Sequence, residues 1–188
     1  ILEKLNRLGI ETDTIISEPN RPTTRKTRVI ASNQQVVRID REEKKNITSQ
    51  TLDKLVKGIR AHIAQADLVI LSDYNKGLIT RELVSQTVSL ARQHGVLTLA
   101  DPKSLDFTKY ESVSVLTPNK KEAGLAARMD IQSDQDLAEA AQRIMAQAHL
   151  ERLLITCGKD GMALFDKDGP EFHIASKARQ VFDVSGAG

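Results

Sequence analysis

Asn119 and Glu122 stand three residues apart in Thr117-Pro118-Asn119-Lys120-Lys121-Glu122. On a helix that spacing shares one face. An amide oxygen and a carboxylate there can hold Mg²⁺ through its waters, beside a nucleotide phosphate. The same residues also read as a proline turn with an asparagine cap. A second segment, Ile155-Thr156-Cys157-Gly158-Lys159-Asp160-Gly161, sends an apolar run into a loop with two glycines. Such a loop lets a nucleotide approach the backbone closely, or simply turns tightly into the next strand. Its spacing is not that of a Walker loop. The third segment is Asp183-Val184-Ser185-Gly186-Ala187-Gly188. Small residues entering a helix expose consecutive N–H groups, which with the helix dipole cradle an anion. Phosphoryl transfer needs such a cradle where charge builds up. Read alone, the segment is a frayed end.

These segments need elements to position them. A helix tail at residues 1–8 is ended by Gly9, and residues 13–17 predict a strand. Thr27 to Ala31 and Gln35 to Ile39 are rich in β-branched residues, with Ser32-Asn33-Gln34 as the turn of a hairpin. From Ile47 to Gln65 the pattern is helical, with Leu52, Leu55, Val56, Ile59 and Ile63 on one face. Strands then alternate with helices. Strands are expected at Leu68–Leu71, Val96–Ala100, Ser114–Leu116 and Leu153–Thr156. Helices are expected from Thr80 to His94, closed by Gly95, and from a capping box at Ser133 through Met145. Met162–Phe165 and Phe172–Ala175 form a second hairpin. This rhythm predicts an α/β fold with a mainly parallel sheet and helices on both faces. Ligands of such sheets bind beyond the carboxyl ends of the strands, where Asp73, Asp101, Asn119 and Thr156 fall.

The 188 residues suit one domain or the larger part of one. A net charge of +2 predicts no polyanion partner, and the scarcity of aromatic residues argues against stacking on single-stranded nucleic acid. One cysteine excludes a disulfide framework and a CxxC metal site. It fits a reducing, cytoplasmic setting. No apolar run nears the roughly 18 residues of a membrane span. The histidines show no metal-ligand spacing, and Cys157 reads as a small packing residue.

In this order, the three segments resemble the ribokinase-like, phosphofructokinase B type sugar kinases. The resemblance spans nearly the whole chain. It implies a Rossmann-like sheet with a small β-hairpin lid at about residues 23–40, and ATP and Mg²⁺ as cofactors. It gives Asn119 and Glu122 the metal and phosphates, and Thr156, Gly158 and Gly161 the nucleotide. Gly186, Ala187 and Gly188 become the anion hole. Residues 25–40, Leu71-Ser72-Asp73-Tyr74-Asn75-Lys76-Gly77 and Ala100-Asp101-Pro102-Lys103 are similar to the heptose-7-phosphate kinase branch. That branch is the kinase module of the enzyme that makes the ADP-heptose precursor of lipopolysaccharide. The implied reaction phosphorylates the anomeric hydroxyl of D-glycero-β-D-manno-heptose 7-phosphate.

A sugar phosphate needs cations at its phosphate end. Arg25, Lys26, Arg28 and Arg38 lie on the hairpin, where they can close over a sugar or simply solvate an edge strand. Lys76 and Lys103, at strand ends, are the stronger candidates for phosphate contacts, Lys103 on the nucleotide side. Asp73 and Asp101 accept sugar hydroxyls or cap turns. The resemblance places the catalytic base, an aspartate, immediately after Gly188, and places N-terminal sugar-binding strands before Ile1. The chain thus reads as a single incomplete kinase domain, expected to turn over far below a kinase's roughly 1–100 s⁻¹. The rivals are another sugar kinase of the same fold and a non-catalytic nucleotide-binding module. A nucleic-acid module built on residues 21–38 is more distant and would show steep salt dependence. An exposed lid leaves room for a homodimer.

Overall fold

Apolar runs set off by amphipathic helices dictate the main sheet. The computed structural model describes residues 1–32 and 34–176. Helix α1 spans Leu2–Arg7, and a separate hairpin pairs β1, Arg25–Ala31, antiparallel with β2, Gln34–Arg41. Next come α2 at Ser49–His62, β3 at Leu68–Ser72, α3 at Arg81–Gln93 and β4 at Leu97–Asp101. They are followed by β5 at Val115–Leu116, α4 at Lys120–Ala127, α5 at Asp134–Ala148, β6 at Arg152–Thr156, β7 at Met162–Asp166 and β8 at Phe172–Ile174. The six-stranded sheet runs β3-β4-β5-β6-β7-β8; β3 to β6 are parallel, and β7 and β8 return antiparallel.

Local chemistry fixes the helix starts. Thr48 and Thr80 accept the Thr51 and Leu83 amides at the N-termini of α2 and α3. Asn119 and Ser133 each close a full capping box, so orphan N–H groups are satisfied at both ends of the box. Gly95 follows α3 in the left-handed region, at φ 70°. The core gathers Leu83, Val84, Val88, Leu116, Ile144, Leu153 and Ile155 between sheet and helices.

Two expectations change. Residues 13–17 form no strand, because a β-rich stretch needs a neighbour to pair with. The uninterrupted β3 and β4 are not buried on both faces: Ile70 is 63% exposed and Leu97 52%. Leu71 and Ala100, on the opposite face, are buried.

The lid hairpin is exposed along both strands and is held at its base. Glu18 Oε1 accepts from the Thr48 amide at 2.8 Å and from Thr51 Oγ1 at 2.9 Å, and its other oxygen takes the Arg21 guanidinium. Arg21 also donates to the carbonyls of Lys45, at 2.6 Å, and Lys76, at 3.0 Å. Gly77 must be glycine here, since a Cβ would sit 1.9 Å from the Lys45 carbonyl oxygen. One clasp therefore ties both lid stems to the loop after β3. The Thr48 amide, then Arg21, hold the Glu18 carboxyl down at about 2, against an ordinary 4.5. A carboxyl lowered by folding stabilises above its unfolded value and loses that contribution as pH falls. We predict that wild type and Glu18→Gln differ in melting temperature at pH 6. The gap should close as pH drops from about 4.5 towards 2. A gap that stays constant to pH 2 would refute the clasp.

Candidate active site

The parallel register lines up the carboxyl ends of β3 to β6. The Asp73 amide donates to the Asp101 carbonyl at 3.0 Å, and the Thr117 amide to the Ala100 carbonyl at 2.9 Å. Asn119 and Thr156 form a parallel bridge, with the Thr156 amide 3.0 Å from the Pro118 carbonyl. Asp73, Asp101, Asn119 and Thr156 therefore stand in one row, as the strand ends required.

At the centre of the row, Asn119 Oδ1 accepts from the Glu122 amide at 2.9 Å and Glu122 Oε2 accepts from the Asn119 amide at 3.1 Å. Lys103 Nζ donates to Glu122 Oε1 at 2.9 Å. The cap is thus formed, and each carboxylate oxygen still has a spare lone pair. That donor set, hard oxygens from an amide and a carboxylate, fits Mg²⁺ held through water. Among the described residues, no group of three His, Cys, Asp or Glu gathers for direct ligation. The Glu122 hydrogen bond raises the Lys103 ammonium above its ordinary range. Burial, then the Glu122 charge, raises Asp101, with Lys103 opposing.

The Thr156–Gly161 loop turns by a Cys157 amide bonded to the Gly161 carbonyl at 2.7 Å. Its two glycines serve different ends. Gly158, at φ 61°, has open space where a side chain would be, so it is the position free to meet a nucleotide. Gly161, at φ 91°, would place a Cβ 2.0 Å from the Ile174 carbonyl oxygen, so packing against β8 already demands glycine. Gly158→Ala should lose about 1–2 kcal/mol from left-handed strain alone. Gly161→Ala adds a backbone collision and should lose about 4 kcal/mol or more. Urea midpoints check this; equal losses would contradict it. Burial raises the Cys157 thiol, which suits packing better than nucleophilic attack.

The other expected residues are placed as follows. Lys76 Nζ lies 2.6 Å from Glu42 Oε1, so its charge is already answered. Arg28 faces Arg38 across the lid, and Arg38 and Lys26 both reach Asp40, at 2.9 and 3.4 Å. Gly186, Ala187 and Gly188 lie outside the described residues, as does Asp183. Asp73 is engaged within the protein. Its side chain is 1% exposed, with Lys109 Nζ at 2.5 Å and the Tyr110 hydroxyl at 2.6 Å on Oδ2, and the Asn75 amide at 2.6 Å on Oδ1.

Lys109 and Tyr110 are the residues that sequence reading missed. Tyr110 is fully buried. Its oxygen also accepts weakly from the Lys103 and Ser104 amides, at 3.3 and 3.5 Å. Burial, then the bond to Asp73, holds its proton well above the usual phenol range. The phenol therefore acts as a fixed donor joining the loops after β3 and β4. The only signal in sequence was one of two tyrosines, with a preceding lysine, in an aromatic-poor chain.

The sequence profile of the pfkB family carbohydrate kinases matches residues 1–188. A protein named bifunctional protein HldE from Desulfatibacillum aliphaticivorans is 45% identical over 185 residues, 98% of this chain and 38% of that protein. Another of that name from Geobacter sulfurreducens is 41% identical over 188 residues, 100% of this chain and 38% of that protein. The chain thus spans well under half the length of these relatives. Among solved structures, the tetrameric inhibited form of phosphofructokinase-2 from Escherichia coli aligns with a TM-score of 0.71 at 15% identity. That alignment covers 100% of this chain and 61% of that one. Arabidopsis thaliana ribokinase complexed with ribose and ATP aligns at 0.65 and 18% identity, covering 89% and 53%. At such identities the likeness shows the fold alone.

Proposed function

The chain belongs to the pfkB family of carbohydrate kinases, and on that premise we propose that the protein carrying it phosphorylates a heptose 7-phosphate at its anomeric hydroxyl, using ATP. The observation behind this reading is one junction. The Asn119–Thr156 bridge sets the Asn119–Glu122–Lys103 cluster beside the Thr156–Gly161 loop. A nucleotide laid along Gly158 would bring its phosphates towards Lys103 and Glu122. Mg²⁺, when bound, would neutralise charge on the β- and γ-phosphates. Asn119 and Glu122 would orient its waters. Gly186 to Gly188 would offer backbone N–H groups to the transferred group. A bond forms between the anomeric oxygen and the γ-phosphorus, the bridging bond to the β-phosphate breaks, and ADP leaves. The hydroxyl proton passes to the aspartate that the family resemblance places immediately after Gly188. ADP-heptose precursor synthesis from ATP suits a cytoplasmic setting, and among the described residues no helix is long and apolar enough to cross a membrane.

Turnover of the full-length protein on heptose 7-phosphate, fructose 6-phosphate and ribose tests the substrate. We expect kcat/KM to favour heptose 7-phosphate by about 100-fold. A preference for either other sugar would move the protein to another branch of the family.

The reading includes a homodimer through the lid. Ile30, Val36 and Ile39 are 64%, 66% and 58% exposed on a hairpin with open edges, an arrangement that a second lid can cover. Val36→Asp should convert a dimer to a monomer in light scattering. A wild-type monomer would rule this out.

A further inference from the structure

Lys76 and Lys103 were the stronger sequence candidates for phosphate contacts; Lys76 is held by Glu42, and Lys103, paired with Glu122, stands on the nucleotide side. A different group of cations surrounds a separate cavity at the same end of the sheet. It has a volume of about 300 Å³ and lies where the loops after β3 and β4 meet the stem that leaves the lid. Lys44 comes from the stem, Arg81 from the first turn of α3, and Lys109 from the segment before β5. Asn46, Asn75 and Ser104 line it as well, with Asp106 as the one acidic lining residue. Among the described residues, neither the Asn46 nor the Asn75 side-chain amide has a hydrogen-bond partner.

We propose that this cavity is the subsite for the phosphate that does not react, the 7-phosphate of the sugar. The inference rests on the heptose 7-phosphate reading and adds where that substrate is gripped. With Lys109 answered by buried Asp73, Lys44 and Arg81 against the one lining carboxylate, Asp106, leave a net positive site for a phosphate dianion, and the two amides offer neutral donors. The existing partners of the outer cations are weak competitors. Lys44 is 69% exposed, with Glu42 at 3.4 Å. Arg81 is 56% exposed, with Asp106 at 3.5 Å and Thr108 closer. Such surface pairs contribute little and exchange readily. Lys109 is different, since it neutralises buried Asp73. Its role is to hold the inner wall close to neutral, so that a phosphate meets no uncompensated carboxylate. The place also makes sense of the lid. Lys44 and Asn46 lie three and five residues beyond the end of β2, so a bound phosphate would tie the lid stem to the body.

The test uses the full-length protein and the variants Lys44→Gln and Arg81→Gln. It reads steady-state kinetics with heptose 7-phosphate, and inorganic phosphate binding by ³¹P line broadening. Lys44→Gln removes a 3.4 Å contact of an exposed lysine while Glu42 keeps Lys76 at 2.6 Å, so it remains informative if Arg81→Gln lowers stability. We expect each variant to raise KM for heptose 7-phosphate roughly tenfold, the worth of one charge-assisted hydrogen bond. In both, kcat should stay within about threefold, and phosphate binding should weaken in parallel. Wild-type turnover with unchanged KM and unchanged phosphate binding in both variants would overturn the subsite and leave the substrate reading standing. Phosphate binding that depends on Lys44 and Arg81 without turnover of heptose 7-phosphate would keep the subsite and remove that substrate. Neither turnover nor variant-sensitive phosphate binding would remove both.

Discussion

Glu122→Gln in the full-length protein should lower kcat by about 10²–10³-fold while the fold survives, the usual loss when one electrostatic element of a transition state is removed. The geometry separates the two jobs of this side chain. Its Oε2 closes the capping box on the Asn119 amide, and its Oε1 holds Lys103. A glutamine oxygen can still accept from the Asn119 amide, as glutamine does in natural capping boxes. The charge that holds the Lys103 ammonium, and that we propose orients Mg²⁺ waters, is lost. Melting temperature should therefore change little. Glu122→Ala removes the cap as well and should cost about 1 kcal/mol more in stability. A glutamine variant with wild-type kcat would mean that Glu122 serves the helix alone.

Lys109→Met should destabilise the protein by about 3–5 kcal/mol, because it leaves the Asp73 carboxylate buried without its cation. The Asp73 side chain is 1% exposed and Lys109 16%, so water cannot replace the lost partner. For a protein of this size the loss corresponds to roughly 10 °C in melting temperature. Tyr110→Phe removes one hydrogen bond to the same oxygen and should cost about 1–3 kcal/mol. Combining Lys109→Met with Asp73→Asn should recover part of the loss, since the pair is coupled. Additive losses in the double variant would show that the two side chains do not depend on each other.

Local signals account for most of what the sequence disclosed. Asn119 and Glu122 were legible because a capping box is written in three residues of spacing. Ser133 and Asp136 were legible for the same reason. The strand ends were legible because short apolar runs stop at polar residues, and a parallel sheet places such stops in one row. The hairpin of β1 and β2 was legible from its β-branched runs.

Long-range pairings were not legible. Lys103 finds Glu122 across 19 positions, and Tyr110 finds Asp73 across 37. Only the tertiary fold brings those groups together, so Asp73 read as a sugar ligand or a turn cap, and its bonds to Lys109 and Tyr110 lay out of sight. Gly161 read as a ligand-facing or a tight-turn glycine, and its packing was hidden for a similar reason, since the Ile174 carbonyl that requires glycine belongs to a later strand. Residues 13–17 have strand composition but no edge to join.

The central claim is tested most directly by a coupled assay of ADP release on the full-length protein with heptose 7-phosphate, with the product followed by ³¹P NMR. The account predicts a sugar-dependent rate of roughly 1–100 s⁻¹ and a new anomeric phosphate beside the retained 7-phosphate. ATP binding without any sugar-dependent ADP release would contradict it and leave a nucleotide-binding module in its place.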